Sequence, residues 1–402
     1  MPFYHKVGEV PPKRHTQFRR PDGVLYTEEL IGNEGFSGLA ALLYHYHPPV
    51  RVAGLAPCPY EPPEEWREPV QRHYHLRTKA AAPGGDPITS RRVLMFNDDV
   101  ALAIARPTAP MDTYYYKNGE ADELYFIHEG QGTFETNYGA LPYHAGDYIV
   151  IPHGTIYRAV MESTPQRWLV LESRGRIETP KRYRNEFGQL LEHAPYCERD
   201  IRVPAAPLLR LDAPGAEVRI KANNRITAYR YEHHPFDVVG WDGYLFPWIL
   251  NIADFEPITG RIHQPPPTHQ TFQAHNFVVC SFVPRKYDYH PLSIPAPYNH
   301  SNIDSEEVLY YVNGNFMSRR GIDIASFTLH PHGIPHGPHP GAAEASIGKE
   351  QTDELAVMVD TFRPLKMTRW AQEYDDPHYP LSWLDPPAPP PDAQATQGGE
   401  PG

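Results

Sequence analysis

The chain has 402 residues, 46 of them proline, about twice the average usage of roughly 5%, and only 21% are charged. Proline lacks an amide donor and clashes inside helices, which excludes long-helix and coiled-coil architectures and makes an all-β fold the expectation. The 26 Tyr and 16 Phe supply enough apolar surface to exclude disorder across the whole chain. A net charge of −12, with no long run of Lys or Arg, argues against nucleic acid and anionic membrane as partners and leaves a small molecule held by local groups.

In chain order, residues 1–90 carry little periodicity and read as a loop-rich N-terminal extension packing on the rest of the chain. Ser37 to Tyr46 is expected to form a short helix, and Pro57 to Trp66 is proline-dense loop. From Arg92 the pattern changes to short apolar runs broken by turn residues. Strands are expected at Val93 to Phe96, Val100 to Ala105, Leu124 to His128, Gly132 to Glu135, Tyr148 to Ile151 and Arg167 to Leu171. Short strands at this spacing suggest a sandwich or barrel. A charged, proline-bearing stretch from Gly175 to Pro207 comes next. A second strand-rich block runs from about Val218 to Phe362, and residues 386–402, rich in Pro, Ala, Gln and Gly, are expected to be a disordered tail.

No stretch approaches the roughly 20 apolar residues a membrane helix needs, and the N-terminal segment has no apolar core or cleavage site, so a soluble cytoplasmic protein is expected. Cys58, Cys197 and Cys280 are odd in number and far apart, which fits neither a disulfide framework nor a thiolate metal site; any metal would be held by nitrogen and oxygen. Of the 22 histidines, the His45/His47 and His73/His75 pairs are not followed at short range by a carboxylate and a turn glycine, His233/His234 stands next to a proline in an expected loop, and all three pairs read as structural or solvent-facing.

The chain repeats itself. Tyr116 to Gly130 matches His300 to Gly314 without a gap, and Pro152-His153-Gly154-Thr155-Ile156-Tyr157 matches Pro331-His332-Gly333-Ile334-Pro335-His336. Each copy has a glutamate, six residues and a glycine, then Pro-x-Gly-x-x ending in Tyr157 or His336. This pair of motifs resembles the cupin superfamily of small jelly-roll barrels, and two copies imply a bicupin. The expected division is a metal-less barrel at 91–207 and a metal-binding barrel at 208–385. The second copy keeps His300, Glu307 and His336, whereas Tyr116 and Tyr157 in the first offer no such ligands. Glu306 is the rival ligand, but side chains alternate along a strand, and Glu307 is the residue aligned with Glu123. Two imidazoles and one carboxylate leave adjacent positions open on a metal, the pattern of non-heme Fe(II) oxygenases.

The blocks Val238 to Gly243, Asn251 to Phe255, His263 with Pro266, Phe282 to Arg285, Pro297 to His300 and Thr328 through Pro338, with His15 to Arg19 and Asp22 to Leu30 near the start, are similar to the homogentisate 1,2-dioxygenase family. That resemblance implies Fe(2+) on His300, Glu307 and His336, and His263 as the proton acceptor. It also implies substrate contacts at His336, Tyr298 and His330, and homogentisate plus O2 converted to maleylacetoacetate in tyrosine and phenylalanine catabolism. An assembly of identical chains, a trimer or hexamer, is implied as well. Phe316 stands where better-known members have a substrate-contacting tyrosine, leaving the carboxylate without its usual donor; Tyr298, Tyr310, Tyr311 and Arg285 are the candidates to replace it. Two alternatives stay open: another cupin enzyme, such as a gentisate-type dioxygenase or a sugar isomerase, and a non-catalytic bicupin.

Overall fold

A chain cut this often by proline forms many short strands, and the computed structural model of the protein, which describes residues 3–262, 266–314, 316, 319 and 321–384, shows the result. Five sheets account for the described strands, and the only α-helices among the described residues are Ala342–Ser346 and Arg369–Gln372. The fold is all-β, and none of these helices is long and apolar enough to cross a membrane. The expected tail at 386–402 lies outside the described residues.

A seven-stranded and an eight-stranded sheet face each other to make the first barrel. Their facing side chains, among them Tyr116, Tyr125, Phe134, Ile149, Tyr157 and Trp168, form one buried cluster. Strand Asp122–Glu129 runs between Asp147–Ile151 and Arg167–Ser173. Its alternate residues Leu124 and Phe126 point the other way, into a second core shared with a six-stranded sheet through Val308, Tyr310, Phe327 and Val359. Both faces of the strand are therefore buried, which is why it reads as a continuous apolar run.

The six-stranded sheet repeats the arrangement. Strand Glu306–Asn313 lies between Phe327–His330 and Leu355–Thr361, as Asp122–Glu129 does between its own neighbours. Both motif glycines take a left-handed backbone, Gly130 at φ 117° and Gly314 at φ 93°, a conformation that explains the recurrence of glycine at the strand's end.

Two features depart from the sequence reading. Ser37 to Tyr46 holds no helix: Ala40–His45 is a strand between Thr27–Gly32 and Val238–Gly243, with five of its six residues buried. A short apolar run does not distinguish a buried strand from a helix, and here pairing on both sides decides. The N-terminal ninety residues also do more than drape over the barrels. Val52–Cys58 extends the seven-stranded sheet and Tyr74–Leu76 pairs with Phe327–His330 of the six-stranded one. Strands Glu217–Ala222, Arg225–Tyr231 and Trp248–Asn251 are hydrogen-bonded to the first barrel, so its sheets continue past residue 207.

Inside the first barrel the motif positions are filled by an ion-pair network. Arg91 Nη1 donates to Glu123 Oε1 at 2.6 Å and Glu172 Oε1 at 3.0 Å. Its Nη2 reaches the Tyr125 and Tyr157 hydroxyls, and Tyr157 donates to Glu123 Oε2 at 2.7 Å. Lys221 closes the network on Glu172. Two cations answer two carboxylates, and the Arg91 guanidinium lies against Glu123 and Tyr157, the counterparts of Glu307 and His336.

This network generates a stability prediction. Arg91→Met strands Glu123 in the core and is expected to cost about 3–5 kcal/mol in denaturant unfolding, with Arg91→Met/Glu123→Gln recovering a large part of the loss; equal losses in the two variants would contradict the account. Burial alone would raise the Glu172 carboxyl, but Lys221 and Arg91 hold it down from 4.5 to about 2. Its contribution is thus full above pH 4.5 and lost as the pH falls towards 2.

Candidate metal centre of the second barrel

Strand phase sets the site. Along Glu306–Asn313, Val308 and Tyr310 face the core, whereas Glu307, Leu309 and Tyr311 line a cleft of about 190 Å³. Glu306, on the opposite face from Glu307, is engaged elsewhere: it accepts from His332 Nδ1 at 2.8 Å and from the Leu365 amide at 2.7 Å. The two motif histidines reach Glu307 as a pair. His300 and His336 exchange backbone hydrogen bonds of 2.8 and 2.9 Å. The same register joins Tyr116 and Tyr157 in the first barrel. A Cβ on Gly337 would stand 2.0 Å from Asn299 Oδ1, so the lack of a side chain at 337 lets the His336 segment lie against the His300 segment.

The outcome is one carboxylate oxygen and two imidazole nitrogens within 4.8 Å of one another. His300 Nε2 is 3.8 Å and His336 Nε2 is 3.7 Å from the Glu307 carboxylate. The opposite ring nitrogens point at backbone carbonyls, His300 Nδ1 at Tyr298 O (3.3 Å) and His336 Nδ1 at Ile334 O (3.4 Å). Donation there leaves each Nε2 on the side of the carboxylate, available as a ligand. His330, fully buried, donates from Nδ1 to Glu307 Oε1 at 2.9 Å and lies 3.3 Å from the Tyr379 hydroxyl.

The electrostatics of this cluster are those of a cation site. Burial would raise the Glu307 carboxyl, yet contacts with His300, His330 and His336 hold it well below its usual range. Burial drives His330 down to about 3, so that ring is neutral. Burial, then the charge of Glu307, pushes Asp360, its cross-strand neighbour, up to about 8 and keeps it protonated at neutral pH. His300 is raised through its contact with Glu307. His336 Nε2 is buried with no hydrogen-bond partner. An orphaned nitrogen and an incompletely balanced carboxylate fit a divalent metal.

Of the residues picked out from sequence, His300, Glu307 and His336 are brought together, and Tyr298 stands at the cleft wall with an exposed side chain. His330 lies behind Glu307 and does not line the cleft. His263 lies outside the described residues. Phe316 packs edge-on against Tyr311, ring centroids 4.5 Å apart, with both rings at the cleft. Arg285 lines it too but is paired with Glu354 at 2.8 Å. Tyr310 faces the core and bonds His128 instead. Two groups were missed, and a third, His73, was read as structural. His269 lines the cleft, stacked on Phe282, Arg319 lines it from the segment after Gly314, and His73 packs edge-on against His330 and His336. None sits in a motif; His73 arrives only through the pairing of Tyr74–Leu76 with Phe327–His330.

Comparison with known proteins gives this geometry a setting. The family model for the N-terminal part of homogentisate 1,2-dioxygenase matches residues 88–252. A provisionally named dioxygenase of Saccharolobus solfataricus is 44% identical over 386 residues, covering 95% of this chain and 99% of that protein. The homogentisate 1,2-dioxygenase of Nitrobacter hamburgensis is 26% identical over 411 residues, covering 92% and 87%. Among solved structures, a cupin 2 conserved barrel domain protein from Leptotrichia buccalis aligns with a TM-score of 0.32 at 8% identity, over 73% of this chain and 99% of that one. The chain belongs to the homogentisate 1,2-dioxygenase family.

Proposed function

We propose that the protein is an iron(II)-dependent ring-cleaving dioxygenase acting on homogentisate to give maleylacetoacetate, with a small aromatic acid and O2 as its partners. The observation that carries this reading is the convergence of His336 on His300 and Glu307, the latter two at the wall of a cleft of about 190 Å³. A dry cavity of roughly 150 Å³ is enough for benzene, so the space suits one substituted ring.

His300 Nε2, His336 Nε2 and a Glu307 oxygen would hold the metal, which when bound supplies adjacent sites for substrate oxygen and dioxygen and a path for electrons between them. His330 fixes the Glu307 carboxylate through its Nδ1–H. Phe316 and Tyr311 offer the apolar wall for the ring. His263 is proposed to take the phenolic proton, because the phenolate is the better electron donor.

The rival gentisate-type reading uses a further histidine where this chain has Asn302. Here the Asn302 backbone carbonyl accepts from the Gly333 amide at 2.7 Å, and the residue is not part of the ligand cluster. That observation favours the two-histidine site.

Three outcomes are expected. Anaerobic loading with Fe(II) should give about one iron per chain, abolished by His300→Ala, Glu307→Ala or His336→Ala and retained by Glu306→Gln. Two irons per chain would contradict the blocking role of Arg91. Oxygen-electrode assays of the loaded protein against dihydroxylated aromatic acids should show uptake with homogentisate; uptake with gentisate alone would remove the substrate assignment and leave the metal site standing. His263→Phe should lower turnover by about 10² to 10⁴ at unchanged iron content, whereas parallel loss of iron would make it a structural residue or a ligand.

A further inference from the structure

The cleft carries three long cationic side chains, and they differ in what else they hold. Arg285 is committed to Glu354, and Lys286 is exposed on a two-residue strand. Arg319 is half-buried and, among the described residues, has no carboxylate within ion-pair distance. Its Nη1 donates to the Gly337 carbonyl, one residue from His336, and its guanidinium lies 5.5 Å from the Trp383 ring centroid. The Tyr311 and Tyr379 hydroxyls also face it, and its charge is felt at His73, His300 and His330. Its Nε is buried without a partner.

A buried donor left unmade is costly, and a guanidinium tethered through one Nη while its Nε stays free presents an edge suited to a carboxylate. We propose that Arg319 is the carboxylate anchor of the cleft: it binds the acidic side arm of the aromatic substrate while the ring lies along Phe316 and Tyr311. The Gly337 tether sets the anchor beside the His336 segment, so charge recognition and metal ligation are positioned by the same stretch of chain. The position replaces the hydroxyl absent at Phe316 with a full charge three residues further on. It also corrects the expectation for Arg285, whose charge is already spent on Glu354. This inference rests on the proposed aromatic-acid reading of the site.

The test is anaerobic calorimetric titration of the full chain, with and without Fe(II), using homogentisate, its methyl ester and hydroquinone as probes. Trp383 fluorescence serves as a second readout. The wild type should bind the acid about ten- to a hundredfold more tightly than the ester, the range for a hydrogen bond to a charged group. Arg319→Gln should erase that difference and leave hydroquinone affinity unchanged, while Arg319→Lys keeps part of it. Equal weakening of all three probes by Arg319→Gln would mark a structural role, and an unchanged preference for the acid would also overturn the proposal. The two readings separate cleanly. Arg319-dependent binding of gentisate without any binding of homogentisate keeps the anchor and removes the substrate; turnover of homogentisate by Arg319→Gln at unaltered KM does the reverse.

Discussion

Each barrel buries a glutamate at the same point of its central strand, and the structure around it is organised by the need to answer that charge. An unpaired carboxylate in an apolar interior is far too costly to persist. In the first barrel Glu123 is answered by Arg91 and the Tyr157 hydroxyl, itself bonded to Tyr125, and the extra carboxylate of Glu172 by Arg91 and Lys221. In the second, Glu307 meets imidazoles, one of them held neutral, and a cross-strand carboxyl that stays protonated.

The sheets explain why these two interiors can sit so close together. The eight-stranded sheet is shared: one face lines the first barrel and the other packs on the six-stranded sheet that carries Glu307. Strand Glu306–Asn313 is thus fixed from behind by Val308 and Tyr310, leaving Glu307, Leu309 and Tyr311 on the cleft side. Because the side-chain period is two, a one-residue slip would bury Glu307 in the shared core and turn Glu306 to the cleft, so core packing itself holds the carboxylate in place. The N-terminal strand Tyr74–Leu76 adds His73 behind His330 and His336, which confines those rings.

This division also explains how far the sequence could be read. The repeat exposed both central strands and matched Tyr116 with His300 and Tyr157 with His336, because these positions depend on short motifs with fixed spacing. The choice of Glu307 over Glu306 followed from strand periodicity. What stayed hidden depends on distant pairing: Ala40–His45 looks helical until the strands on its two sides are known. Arg91 precedes the motifs of the first copy, Arg319 falls between the two motifs of the second, and His73 belongs to the first ninety residues. Each gains its role from a contact across the fold, such as Arg91 with Glu123, to which local spacing gives no clue.

The two solutions to one constraint also assign the division of labour. A guanidinium is a permanent cation tethered to the chain; it satisfies Glu123 with fixed hydrogen bonds and leaves no position at which another molecule could bind. Imidazoles directed by backbone carbonyls satisfy Glu307 only in part, and the orphaned Nε2 of His336 opens towards the place a metal would take. An exchangeable ion has coordination positions to spare where a side chain has none, so the barrel that leaves its charge open to such an ion is the one able to do chemistry. The same logic applies at the rim of the cleft. Arg285, already neutralised by Glu354, shapes the wall, whereas Arg319, without an anionic partner among the described residues, is the cation free to select one.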